Sequence, residues 1–135
     1  AEEDYVLGAL GWASTKKLPI LFIVEDNNLS ILTEKKIRRN WNMHEVAKSF
    51  KMKAFNINDD PREILKYQKF IFKEPMLLNI NTNRLFWHSG AGIDSDKIFD
   101  RYKSLFKILG KKSIDYDQKT KKLMGKKWQQ IYERL

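Results

Sequence analysis

The chain has 135 residues, no cysteine and a formal net charge of +9. That length is about one domain, and the lack of cysteine excludes disulfides, thiolate nucleophiles and Cys-based zinc sites. No run of ~18 apolar residues occurs, so no membrane-spanning helix is expected. The acidic start, Ala1-Glu2-Glu3-Asp4, is unlike a signal or transit peptide, and a cytoplasmic protein is the expectation.

In chain order, residues 3–16 read as a helix, with Tyr5, Ala9, Trp12 and Ala13 on one face and Val6 and Leu10 beside it. Gly8 and Gly11 each cost such a helix about 1 kcal/mol and suggest close packing against a sheet. Lys16 and Lys17 suit its C-terminus. The apolar run Leu18-Pro19-Ile20-Leu21-Phe22-Ile23-Val24 follows and reads as a strand buried on both faces, as in a parallel sheet. It ends abruptly in Glu25-Asp26-Asn27-Asn28. Oxygen donors at the carboxyl end of such a strand sit where open α/β sheets bind ligands, and they suit a hard cation such as magnesium. The same residues also make an ordinary turn.

Residues 29–42 read as a polar loop with Lys35-Lys36 and Arg38-Arg39 in it. Residues 43–50 read as a helix presenting Val46, Ala47 and Phe50, and residues 52–57 as a short strand. Asn58-Asp59-Asp60-Pro61 is a helix start, an Asp cap followed by Pro at the first helical position. The helix is expected over 61–72, burying Ile64, Leu65, Gln68 or Tyr67, and Ile71. A third strand spans 75–81, a polar loop 82–92 and a helix 94–109, the last with Ile98, Tyr102, Leu105 and Leu109 in register and Gly110 as its stop. A final helix carries the stripe Met124, Trp128, Ile131, Tyr132 and Leu135.

Strands alternating with helices imply a parallel sheet with right-handed crossovers. Three strands leave exposed edges, which suggests part of a sheet. The expected organisation is an α/β domain over 1–110 and a basic C-terminal helix over 111–135. From Lys107 onward nine basic residues stand against three acidic ones, a net of +6, against +3 before it. Such a tail is a solvated helix face or a docking surface for an acidic partner.

The strand Leu18–Val24 with Glu25-Asp26-Asn27-Asn28-Leu29-Ser30-Ile31-Leu32-Thr33, the turn Ile57-Asn58-Asp59-Asp60-Pro61, and Thr82-Asn83-Arg84 before His88-Ser89 together carry a likeness. Over residues 1–109 the chain resembles the alpha subunit of thiamine-diphosphate-dependent 2-oxo acid dehydrogenases, the decarboxylating first component of pyruvate-type and branched-chain-type complexes. That family shows Leu-Pro, an apolar strand, Glu-Asn-Asn, a Gly-Tyr-Ala-Ile-Ser-like run and Thr, then Val-Asp-Gly-x-Asp and Gly-His-Ser. The resemblance implies the second half of a thiamine-diphosphate-binding, doubly wound fold, with magnesium holding the cofactor's diphosphate. The implied metal ligands are the Asn27 side chain and the Leu29 backbone carbonyl, both therefore cofactor-binding. A further Asp would come from a Gly-Asp-Gly motif upstream of Ala1. The implied catalytic and cofactor-binding role of His88 is to hydrogen-bond the cofactor phosphates or a reacting carboxylate. The implied partners are an N-terminal half or beta subunit of the same enzyme, whose Glu activates the aminopyrimidine, and a lipoyl acyltransferase component. Alone, the chain is expected to be inactive.

The chain departs from the family at several positions. Asp26 stands for the first Asn of the pair, Leu29 for a Tyr, Trp87 for Gly or His, and Phe86 for a second His. Glu2, Glu3 and Asp4 put negative charge where the helix approaches a diphosphate, which opposes anion binding at a helix N-terminus. Asp26-Asn27-Asn28-Leu29-Ser30-Ile31 is also similar to the Asp-Asn-Glu-Met-Ser-Ile of deoxyxylulose-phosphate synthases. A transketolase-like or synthase-like thiamine enzyme is therefore one alternative, and a non-catalytic, degenerate interaction domain another. His88 also fits an ordinary loop residue. Arg84 is read as structural, His44 as a surface residue, Asp59-Asp60 as a turn, and Trp12 and Trp128 as core anchors. No nucleic-acid recognition motif occurs, and nucleic acid is not an expected partner.

Overall fold

The structure is a computed structural model that describes residues 2–85, 88 and 99–134. The chain divides into two compact units, 1–99 and 100–135. The first is α/β, with a three-stranded parallel sheet flanked by helices. Its elements are α1 (Asp4–Lys16), β1 (Leu21–Asp26), the short hairpin β2 (Leu29–Ser30) and β3 (Thr33–Glu34), α2 (Lys35–Arg38), α3 (Met43–Ser49), β4 (Lys53–Asn58), α4 (Pro61–Leu65) and β5 (Met76–Asn81).

The sheet order is β1-β5-β4, and both pairings are parallel. β5 is the middle strand, and Met76, Leu77, Leu78, Asn79 and Ile80 are all buried. Successive side chains of a strand point to opposite faces. Leu77 thus joins Leu10 and Ala13 of α1, Met43 and Ala47 of α3, and Ala54 of β4 in one cluster. Met76, Leu78 and Ile80 form the other with Ile57, against which Ile64, Tyr67, Phe70 and Ile71 pack. Tyr67 stacks on Phe55 with ring centroids 4.4 Å apart.

The expectation that the Leu18–Val24 run is buried on both faces is corrected. β1 is an edge strand among the described residues, with one parallel neighbour, and its Ile23 is 56% exposed. Val24 and Phe22 pack on the α1–α3 side, and Leu21 on the other. A continuous apolar run cannot say which of several strands lies in the middle; pairing decides it.

The ends of the elements follow local chemistry. Lys17 takes a left-handed conformation (φ 51°) to close α1, and its N–H reaches the Ser14 carbonyl. The Asp60 carboxylate accepts the Arg62 N–H at 2.9 Å, with Pro61 in the first turn, so Asp60 is the cap that its sequence suggests. The expected long helix over 61–72 is shorter: α4 stops at Leu65, a single 3₁₀ turn covers Gln68–Phe70, and Leu65 is exposed. Packing of Tyr67 and Phe70 on the sheet outweighs helical continuation there. The expected loop over 29–42 contains the β2–β3 hairpin and the one-turn α2.

α1 buries Leu10 and Ala13, whereas Tyr5 and Trp12 are exposed, so Trp12 is not a core anchor. Neither glycine of α1 is held by tight packing. A Cβ at Gly8 would meet nothing within 4 Å, and one at Gly11 would sit 3.6 Å from the Phe50 ring, an ordinary contact.

The second unit holds α5 (Arg101–Leu109) and α6 (Lys111–Tyr132). Asp100 caps α5 by accepting the Lys103 N–H at 2.9 Å. Gly110, with φ 63°, separates the two helices as its sequence position suggests. The expected helix start over 94–98 lies outside the described residues. The stripe Met124, Trp128, Ile131 and Tyr132 is exposed, so Trp128 is not a core anchor either. Among the described residues no helix is long and apolar enough to cross a membrane.

Candidate functional site

At the carboxyl end of β1 the chain turns on its own side chains. The Asp26 carboxylate accepts the Asn28 N–H at 3.0 Å, and the Asn27 amide oxygen accepts the Leu29 N–H at 3.0 Å. Short polar side chains that bond the backbone two residues on make such turns locally favourable. Asn28 adopts φ 65°, which an Asn tolerates better than most residues. The Lys35 N–H then donates to the Asn28 carbonyl at 2.8 Å and closes the hairpin back onto the turn.

Lys35 also secures the turn electrostatically, its ammonium lying 2.6 Å from Asp26 Oδ2. The Asn79 amide nitrogen donates to the same oxygen at 3.4 Å and to Asn56 Oδ1 at 2.9 Å. Val24, Asn79 and Asn56 stand in register across the three strands. A polar chain therefore crosses the sheet from Asn56 through Asn79 to Asp26 and out to Lys35. Burial pushes the Asp26 carboxyl up, but bonds from Lys35, the Asn28 N–H and Asn79 outweigh it, so its pKa lies below the ordinary value. Asn79 is 3% exposed and its amide oxygen has no hydrogen-bond partner.

Beside this turn opens a cleft of about 250 Å³. Asn27 and Leu29 line it, together with Glu2, Glu3, Glu25, Asp26, Arg38 and Arg39. The structure thus brings both Asn27 and Leu29 to this cleft. His88 is exposed and is not among the residues lining the cleft. Phe86, Trp87 and Ser89 lie outside the described residues. Arg84 is half-buried. His44 is not a plain surface residue: it sits in the first turn of α3, half-buried, with a buried Nδ1 that has no hydrogen-bond partner.

Magnesium takes oxygen ligands, keeps several waters and uses few protein side chains beside phosphate oxygens. Asn27 offers a neutral oxygen with one lone pair engaged by Leu29 and one left over. Both Asp26 oxygens are already engaged. Among the described residues no group of three or more His, Cys, Asp or Glu could hold a metal. The described residues therefore do not make a self-sufficient magnesium site; Asn27 leaves one oxygen lone pair free.

Sequence reasoning missed Lys35, Arg38, Arg39, Asn56 and Asn79 as members of this region. Asn79 carried a usable signal, since a lone amide inside the apolar strand Met76–Ile80 must find a buried partner. The basic residues are visible as pairs, but a polar loop gives no reason to fold them onto β1.

Comparison with protein-family models, with curated proteins and with solved structures finds no match for this chain.

Proposed function

We propose that this chain is part of a thiamine-diphosphate-dependent enzyme of the 2-oxo acid dehydrogenase type, acting with a partner polypeptide that completes both the sheet and the metal site. The supporting observation is the cleft at the carboxyl end of β1, lined by both Asn27 and Leu29. The position of β1 at the sheet edge among the described residues agrees with a subunit that is inactive alone. A chain without cysteine suits the cytoplasm, where such an enzyme would work.

In this reading Asn27 contributes a carboxamide oxygen to magnesium, and the Leu29 carbonyl is the backbone ligand. Lys35 and Asn79 hold Asp26, and through it the turn, in place. His88 would approach the cofactor phosphates or a substrate carboxylate from its loop. Thiamine diphosphate supplies the carbanion chemistry of decarboxylation when bound, and the protein's part is to position it and pass the acyl group to a lipoyl carrier of an acyltransferase component.

The test is calorimetric titration of thiamine diphosphate with magnesium into the chain joined to a polypeptide carrying the Gly-Asp-Gly strand. Saturable binding that Asn27→Ala weakens about tenfold or more would support the reading, since a bond to a charged group is worth ~1.5–3 kcal/mol. Absence of binding in the completed assembly would refute it and leave a non-catalytic interaction domain. Turnover of sugar phosphates in place of 2-oxo acids would move the assignment to a transketolase-like or deoxyxylulose-phosphate-synthase-like enzyme.

A further inference from the structure

The cleft contains two adjacent guanidiniums that the metal reading leaves unused. Arg38 closes the one-turn helix α2, and Arg39 follows in extended conformation with φ −158°. Their side chains converge on a single carboxylate. Arg38 Nη1 pairs with Glu2 Oε2, and Arg39 Nε lies 3.2 Å from Glu2 Oε1.

Arg39 is the unusual member. Its side chain is only 6% exposed, and its guanidinium carbon lies 4.4 Å from the centroid of the Trp41 ring. Its Nε and Nη1 are buried without a hydrogen-bond acceptor, because the geometry toward Glu2 is that of an ion pair and not of a hydrogen bond. An arginine does not lose its charge, and buried donors of a charged group are costly to leave unanswered. A carboxylate has two oxygens in one plane, and here it spends one on each arginine. A tetrahedral oxyanion presents oxygens in three dimensions and can engage two guanidinium forks together.

We propose that Arg38 and Arg39 form a binding site for the phosphoryl group of a small phosphorylated ligand, and that the Glu2 carboxylate occupies this site until the ligand displaces it. The inference concerns the arginine pair and holds whether or not the cleft takes thiamine diphosphate. Glu2 acts as an internal competitor: the ligand's apparent affinity is reduced by the fraction of chains in which Glu2 has swung away.

Calorimetric titration of inorganic diphosphate into the full chain, without metal and at low ionic strength, tests this. Glu2→Gln should bind about tenfold more tightly than the unmodified chain, because an uncharged amide competes poorly for two guanidiniums. Arg39→Gln in the Glu2→Gln background should lose the binding while the chain still unfolds in a single cooperative transition. Glu3→Gln removes the same charge from the same cleft and should change affinity less than threefold. Equal gains from Glu2→Gln and Glu3→Gln would overturn the proposal in favour of unspecific charge. Binding by Glu2→Gln that is no tighter than that of the unmodified chain, or that survives Arg39→Gln, would overturn it as well. If Arg39→Gln unfolds the chain, Arg39→Lys replaces it: a point charge without the planar fork should bind several-fold more weakly, and undiminished binding would count against the site. Thiamine diphosphate and ribose 5-phosphate titrated into Glu2→Gln distinguish a cofactor phosphate from a substrate phosphate. Binding of inorganic diphosphate with no preference for thiamine diphosphate would sustain the arginine site and weigh against the thiamine reading.

Discussion

Replacing Lys35 by methionine removes the ammonium that lies 2.6 Å from Asp26 Oδ2 and leaves a carboxylate whose side chain is only 9% exposed. The Asn28 N–H still bonds it, as does the longer Asn79 amide bond at 3.4 Å. The lost contact is a hydrogen bond to a charged group, worth ~1.5–3 kcal/mol. Lys35 is 23% exposed, so the cost lies toward the lower end of that range, and below the 3–5 kcal/mol of a pair broken deep in a core. With a urea slope of about 1–1.5 kcal/mol/M, expected for a small domain, the unfolding midpoint at pH 7 should fall by roughly 1–2 M. The pH dependence carries the sharper test. In the unmodified chain the folded-state pKa of Asp26 lies below its ordinary value of 3.8, so the ion pair stabilises above that pH and the benefit is lost as pH falls through the folded value. The difference between the two proteins should therefore be full near neutrality and shrink below about pH 4. Urea titrations at several pH values between 7 and 3, followed by circular dichroism, measure both. An unchanged midpoint at pH 7 would mean that the pair does not hold the turn. An equal loss at pH 7 and pH 3 would mean that Lys35 acts through packing and not through charge.

Leu78→Ala empties a fully buried site on the middle strand and should cost about 2–5 kcal/mol, read as a lower urea midpoint with little change in slope. Gly8→Ala adds a methyl group to an exposed helix position with nothing within 4 Å, and should raise stability by up to about 1 kcal/mol; a loss would reveal packing that the structure does not contain. Asp60→Ala removes the acceptor of the Arg62 N–H and should cost ~1 kcal/mol, whereas Asp60→Asn should cost less because an amide oxygen also caps.

Much of the first unit was legible in the residues themselves. The Leu18–Val24 run announced a strand, observed at Leu21–Asp26, and Asp60-Pro61 announced a capped helix that begins where expected. Gly110 marked a helix boundary, and Lys16-Lys17 marked the end of α1. These are short-range effects: caps, fixed φ angles and side-chain periodicity act within a few residues and need no knowledge of distant partners.

Strand order was not legible. β1 and β5 are both apolar runs, and only the pairing β1-β5-β4 puts β5 in the centre and leaves Ile23 at an edge. The aromatic residues at 5, 12 and 128 gave the wrong helix faces, because periodicity identifies a stripe and not what covers it. The cleft's cations were likewise settled by folding: Lys35 reaches Asp26 from nine residues away, Arg38 meets Glu2 from 36 residues away with Arg39 beside it, and Asn79 joins Asn56 and Asp26 across two strand pairings. Local sequence decided where α1 and α4 begin or end on caps and turns, but the stop of α4 at Leu65 and the hairpin within residues 29–42 were set by packing. Tertiary packing alone decided which faces are dry and which charges share a cavity, because those depend on groups brought together only when distant parts of the chain exclude water between them.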